Sequence, residues 1–303
     1  YFLFAFEVSS EAGMQALIEK GEARVGLIIP PDYATRLSEG AAQVAFIIDG
    51  SDPSMAGTAL SAAQLIGQSH ATQILAGTVA RAGQSISLQL PVEVRTTVWY
   101  NPDMISAYFM IPGVIGMILY TITAILTATA VVRERERGTI EQLIVTPIRP
   151  AELVIGKILP YTIMALFDTL VVLAIGHWWF GVPIRGSLLL IILLSALFLL
   201  TGLGIGLFAS TIANTQQEAM LTVFMTLLPS LFLSGFFFPL NAMPQVLQWI
   251  SYAMPLRYYL SIIRVLLLKG VGIESIQGEV IALALFGVVI MGAAALRFRK
   301  RLD

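Results

Sequence analysis

The sequence predicts an α-helical polytopic membrane protein with an N-terminal α+β domain. Three observations carry that fold class. Of 303 residues, 57% are hydrophobic and 12% charged, with a mean hydropathy of +0.82, whereas soluble domains carry about 25% charged residues. Beyond residue 101 the apolar residues gather into runs that approach the roughly 20 residues needed to cross a bilayer. Residues 1–98 show instead the shorter periodicities and turn residues of a mixed domain.

Taken in order, Tyr1, Phe2, Leu3, Phe4, Ala5 and Phe6 lack an initiator Met, a basic leader region and a cleavage site, so they do not read as a signal peptide. They read as the start of a strand or the tail of something removed, and the chain as a fragment. Arg24 to Ile29 is a β-type run closed by Pro30 and Pro31. Asp32 to Leu37 reads as a short helix with Gly40 as its stop. Gln43 to Ile48 is a second strand ending in the turn signal Asp49-Gly50. An Ala- and Gln-rich helix follows over 55–80, and 87–99 alternates as a further strand.

A transmembrane domain then occupies 99–303, with expected spans at 104–132, 153–180, 188–209, 219–238 and 280–296. Segment 241–270 breaks the pattern. It contains Pro244 and Pro255 and helical pieces too short to span, which read as re-entrant or interfacial. Within it, Arg257, Ser261 and Arg264 share one helix face while Leu260, Ile263 and Leu267 share another, the pattern of an amphipathic helix at a membrane surface. Trp178, Trp179, Trp249, Tyr252, Tyr258 and Tyr259 read as an aromatic belt at one interface.

Lys and Arg set the orientation. Arg133, Arg135, Arg137, Arg149 and Lys157 lie in one loop, and Arg297, Arg299, Lys300 and Arg301 in the tail. The positive-inside rule makes their side cytoplasmic and the N-terminal domain extracytoplasmic.

Composition excludes several chemistries. Without cysteine there is no disulfide framework, Cys-ligated zinc or thiol catalysis. His70 and His177 stand too far apart in sequence to indicate a metal site. No phosphate-cradling Walker A loop, Gly-x-Ser-x-Gly elbow or His-Glu-x-x-His pair appears, so no catalytic, cofactor-binding or metal residue is assigned. The net charge of -1 says nothing useful about nucleic acid, and no nucleic-acid partner is expected.

The charged loop itself divides into parts. Arg133 with Glu136, and Glu134 with Arg137, stand at i,i+3 spacing, so a helix can continue past the bilayer as a salt-paired extension. Gly138 ends it. Thr139-x-x-Gln142 has capping-box spacing and starts a short helix that Pro147 stops, with Ile140, Leu143 and Ile144 as its apolar face. Such a helix suits docking in a groove; a stop-transfer block with an ordinary loop fits the same residues. Asp168 is the acid deep in a span, either a substrate or proton site or a hydrogen-bond partner for Ser or Thr on another helix. Gly202, Gly204 and Gly206 form a small-residue stripe, for packing within the subunit or for a dimer contact.

The segment from Arg133 to Pro147 resembles the cytoplasmic loop of ABC-2 type (type V) exporter permeases. The similarity continues through Gly156-Lys157, through Ser234-Gly235-Phe236-Phe237-Phe238-Pro239 and through Met254-Pro255-Leu256-Arg257-Tyr258. The N-terminal part resembles the extracytoplasmic insertion of one branch of that family. The resemblance implies a six-helix permease, here without its first helix, in a bacterial inner membrane. It implies an exporter of hydrophobic or amphiphilic substrates, drug or lipid-like. ATP and Mg would be bound by a separate ABC ATPase subunit, with none in this chain. A second permease copy or a related permease would complete the pathway, and a periplasmic adaptor is a further expected partner. The ATPase-coupling loop would comprise Arg133, Glu134, Arg135, Glu136, Gly138, Thr139, Glu141, Gln142 and Leu143. A membrane-anchored enzyme using Asp168 or His177, and a scaffold presenting the outer domain, are the alternatives.

Overall fold

The computed structural model describes residues 2–82, 92–138 and 150–299. The chain divides into two compact units, residues 1–106 and 107–303.

The first unit is built on a three-stranded sheet in the order β1-β2-β3. β1 (Val25–Ile28) lies antiparallel to β2 (Ala42–Asp49), and β2 lies parallel to β3 (Val92–Trp99). The parallel pair is joined by the long helix α3 (Pro53–Ala82), the crossover that parallel strands require. Asp52 starts α3 by accepting from the backbone N–H of Ser54 and Met55 at 3.0 and 3.3 Å, and Pro53 takes the first helical position. Asp49-Gly50 turns the chain out of β2. Here a side chain at Gly50 would lie 2.6 Å from the Trp99 carbonyl oxygen, so only glycine fits. The short helix α2 (Tyr33–Ser38) precedes Gly40 at φ +74°.

Two features of this unit differ from expectation. Helix α1 (Glu11–Glu19) was not visible in the sequence pattern. Ser10 caps it by accepting from Gly13 N–H at 3.2 Å, and its Met14 and Ile18 are buried with Ile47. The strand expected at the start of the chain does not form: residues 2–8 have no regular structure, with Leu3 97% exposed. They join no ladder among the described residues, and an unpaired strand gains nothing over water for its backbone groups.

The second unit is helical: α4 (Ser106–Glu136), α5 (Pro150–Trp178), α6 (Leu188–Ile212), α7 (Gln216–Leu233), α8 (Gln245–Ser251), α9 (Pro255–Arg264) and α10 (Gln277–Arg299). Among the described residues, four helices are long and apolar enough to cross a membrane: Ser106–Glu136, Leu159–Trp178, Leu188–Ile212 and Ile273–Arg297. The segment expected to span at 219–238 is the shorter α7, which opens on Gln216, Gln217 and Glu218 and stops before Gly235 at φ +82°.

Helix α6 is the hub of this unit. A Cβ at Gly206 would stand 2.5 Å from the Ala124 carbonyl oxygen on α4, and one at Gly204 would stand 2.5 Å from Ile290 Cγ2 on α10. The glycine stripe therefore packs within the chain, on two sides of α6. Small residues let helix backbones approach closely where lipid offers no hydrophobic drive to association.

Segment 241–270 has the expected amphipathic division but a different destination. Leu256, Leu260, Leu266, Leu267 and Leu268 are fully buried in the helical core rather than turned to lipid. The π-turn Val265–Lys269 completes α9, and Gly270 ends it at φ +68°. The polar face is also taken up inside the chain. Arg257 donates to the Ser251 hydroxyl and stacks 3.9 Å over the Tyr252 ring, Ser261 donates to Glu279, and Arg264 donates to the Gly235 carbonyl at 3.0 Å. Tyr259 does not join the aromatic belt. It is buried, stacked face to face on Phe198 at 4.3 Å and hydrogen-bonded to Ser195 at 2.8 Å. Trp178, Trp179 and Trp249 point outward.

Candidate functional site

The polar end of α4 is where sequence and structure converge. The helix runs unbroken from its apolar stretch through Arg133, Glu134, Arg135 and Glu136, and stops at Gly138, whose φ of +68° suits glycine. The charged extension is formed, but its pairing is not the expected one. Neither Arg133 with Glu136 nor Glu134 with Arg137 makes a direct ion pair among the described residues. Arg133, Arg135 and Glu136 instead reach across to the tight turn between α6 and α7.

Three residues make those contacts. Arg133 Nε donates to Gln216 Oε1 at 3.0 Å. Glu136 accepts from Gln216 twice, from the backbone N–H at 3.0 Å and from the side-chain amide at 2.5 Å. Arg135 donates to the carbonyl oxygens of Ser210, at 2.8 Å, and of Ala213. These partners are chemically matched. Ser210 and Ala213 lie at the C-terminal end of α6, where unpaired carbonyls favour a cation; Gln216 opens α7, where free N–H groups favour an anion. Hydrogen bonds from the Gln216 side chain and backbone, together with Arg133 and Arg135, hold the Glu136 carboxyl below the usual carboxylate range. Glu136 lies beyond the apolar stretch, fully exposed, so this shift is screened by water.

The receiving turn is itself fixed. Thr215 Oγ1 accepts from Glu218 N–H at 3.2 Å, and the Glu218 carboxylate accepts from Asn214 N–H at 2.7 Å. This is a capping box with its second bond shifted one residue toward the N-terminus. Thr215-x-x-Glu218 has capping-box spacing, a signal of a helix start that the expected span at 219–238 passed over; that the α4 charges bind there had no such signal, since Arg133 and Gln216 stand 83 positions apart.

Thr139, Glu141, Gln142 and Leu143, and with them the docking helix expected at 139–146, lie outside the described residues. Asp168 is half-buried on α5, and among the described residues its carboxylate has no hydrogen bond or ion pair. His177 ends α5 exposed, with Nδ1 3.0 Å from the Val182 carbonyl oxygen, and His70 is exposed on α3. Among the described residues no group of three or more His, Asp and Glu side chains is placed to hold a metal ion.

The family motif between α7 and α8 also gains a physical account. Gly235 supplies the left-handed turn and the carbonyl that Arg264 binds. Phe236 is buried against α4 at Gly113, where a Cβ would meet its ring at 2.2 Å. Phe237 packs edge-on against Phe236 at 4.6 Å and remains half exposed.

Membrane-length helices packed around a glycine-bearing hub, with charge concentrated at one end of α4, define a multi-pass membrane protein. Comparison with known proteins gives the family. A family model described as "ABC-2 family transporter protein" matches residues 2–296, and the chain belongs to that family. It is 35% identical over 292 residues to the "Probable multidrug ABC transporter permease YbhS" of Escherichia coli K12, covering 95% of this chain and 76% of that protein. It is 29% identical over 301 residues to the "Probable multidrug ABC transporter permease YbhR" of the same organism, covering 99% and 80%. The "Inner membrane transport permease YhhJ" of that organism is 36% identical over 214 residues, covering 69% and 56%. Membership in an ABC-2 permease family implies an ABC ATPase partner.

Proposed function

We propose that this chain is the permease subunit of an ATP-driven exporter in a bacterial inner membrane, moving hydrophobic or amphiphilic molecules outward. ATP and Mg belong to a separate ATPase subunit, and a second permease copy or a related permease faces this one. In this reading α7 is a fifth crossing. The charged end of α4, the C-terminal end of α10 and residues 139–149 are cytoplasmic, and the first unit is extracytoplasmic.

The observation that carries the reading is the continuity of α4. One helix connects the packed interior of the bundle to the charged segment that resembles the ATPase-coupling loop, so displacement of that loop acts on the bundle through a rigid rod. Orientation is supported by charge: Arg297 on α10 lies 5.7 Å from the Phe208 ring on α6, at the same end as Arg133, Arg135 and Arg137. The substrate class rests on the multidrug relatives and on the apolar character of the helices.

The test is ethidium accumulation in cells carrying the full chain with its ATPase. Glu134→Ala combined with Glu141→Ala should raise accumulation to the level of cells lacking the ATPase. Unchanged export would refute the coupling role of the loop. Activity of the purified chain without any ATPase would favour a membrane enzyme instead.

A further inference from the structure

The contacts between α4 and the α6–α7 turn do more than finish three helix ends. Two adjacent residues of one helix serve opposite poles of two others: Arg135 holds the carbonyl end of α6, and Glu136 holds the amide end of α7. Gln216 sits between opposite charges and uses each of its polar groups. Its side-chain oxygen accepts from Arg133, while its side-chain and backbone N–H groups both donate to Glu136. An amide carries its acceptor and its donors on separate terminal atoms, so one side chain can take the cation on its oxygen and the carboxylate on its nitrogen. The turn that carries Gln216 is braced by the bonds of Thr215 and Glu218.

We propose that Arg133, Arg135, Glu136 and Gln216 form a latch that makes the end of α4 and the α6–α7 turn one moving part, with Gln216 as its pivot. The inference rests on the coupling-loop reading above and adds where the force goes next. Displacement arriving at the charged end of α4 reaches α6 and α7 directly, through these bonds. The latch is a contiguous hydrogen-bonded network between elements distant in sequence. Gln216 is a positioning residue: it touches no substrate and acts through the helices it joins.

The experiment uses the full chain assembled with its ATPase in lipid vesicles, measuring complex assembly, ATP hydrolysis and ATP-dependent ethidium transport. Gln216→Glu keeps the acceptor for Arg133 but removes the side-chain donor and sets two carboxylates against each other. It should lower transport by about tenfold or more while assembly and ATP hydrolysis persist, a split that simple misfolding does not give. Adding Glu136→Gln exchanges the carboxylate and the amide between the two positions and should restore transport. Full transport in the single variant overturns the latch and leaves the coupling reading standing. A double variant that fails to recover, whether the single one assembles or not, overturns it as well. Absence of ATP-dependent transport by the unaltered complex, with hydrolysis intact, overturns the export reading and the latch with it.

Discussion

Gly206 and Gln216 mark two ways in which a single residue decides the packing of this chain. At Gly206 the absence of a side chain matters: a Cβ would meet the Ala124 carbonyl oxygen at 2.5 Å and Thr127 Cβ at 2.9 Å. Backbone does not yield as a flexible side chain can, and overpacking costs about 1–3 kcal/mol. Gly206→Ala should therefore lower the thermal unfolding midpoint in detergent, although alanine is favoured over glycine in a helix interior by about 1 kcal/mol. Gly292→Ala is the control, because nothing lies within 4 Å of its missing Cβ; an unchanged midpoint for Gly206→Ala would deny the close approach of α4 and α6. The glycine stripe was legible from spacing, but its partners were not, since composition does not say which helix lies opposite. Gln216 was harder still. A glutamine at a helix start looks like any residue turned to water until the charges that hold it, 80 and 83 positions earlier, are placed beside it.

At the scale of elements, the long helices were legible because crossing a bilayer imposes a length that apolar runs reveal directly. Helix α9 shows where that reasoning stops. Its two faces were correctly divided by periodicity, yet a hydrophobic stripe looks the same whether it meets lipid or protein. The structure buries the apolar face in the bundle and gives Arg257 and Arg264 aromatic and carbonyl partners. Tyr259 anchors this arrangement through its ring and its hydroxyl. The two contributions can be separated. Tyr259→Phe keeps the stack on Phe198 and loses the bond to Ser195, a cost of about 0.5–1.5 kcal/mol. Tyr259→Ala loses the packing too and should cost about 3–5 kcal/mol. Thermal unfolding of both variants checks the ranking; equal losses would mean the hydroxyl, and not the ring, holds α9 in place. The α1 helix escaped notice for the opposite reason: its buried face amounts to Met14 and Ile18, too little to register as a period.

At the scale of the whole transmembrane unit, the two ends of the bundle are fastened by different forces. At the end where α7 gives way to α8, contact is made by burial: Phe236 against Gly113, and Arg264 held 3.6 Å over the Phe109 ring. At the other end it is made by Arg133 and Glu136, both exposed, and by half-buried Arg135. Ions in solution reach only the second kind of fastening. The screening length is about 8 Å at physiological ionic strength and falls to about 3 Å at 1 M salt. Bulk salt should then act as a dial on how faithfully nucleotide turnover is converted into movement. Raising it on the latch side of the vesicle should lower the ethidium moved per ATP hydrolysed while the helices stay packed. A yield that holds constant to 1 M salt would assign the fastening to the carbonyl bonds of Arg135 alone. If the proposed export reading holds, ionic strength is then a variable that tunes the yield of transport while leaving the buried packing of the helices in place.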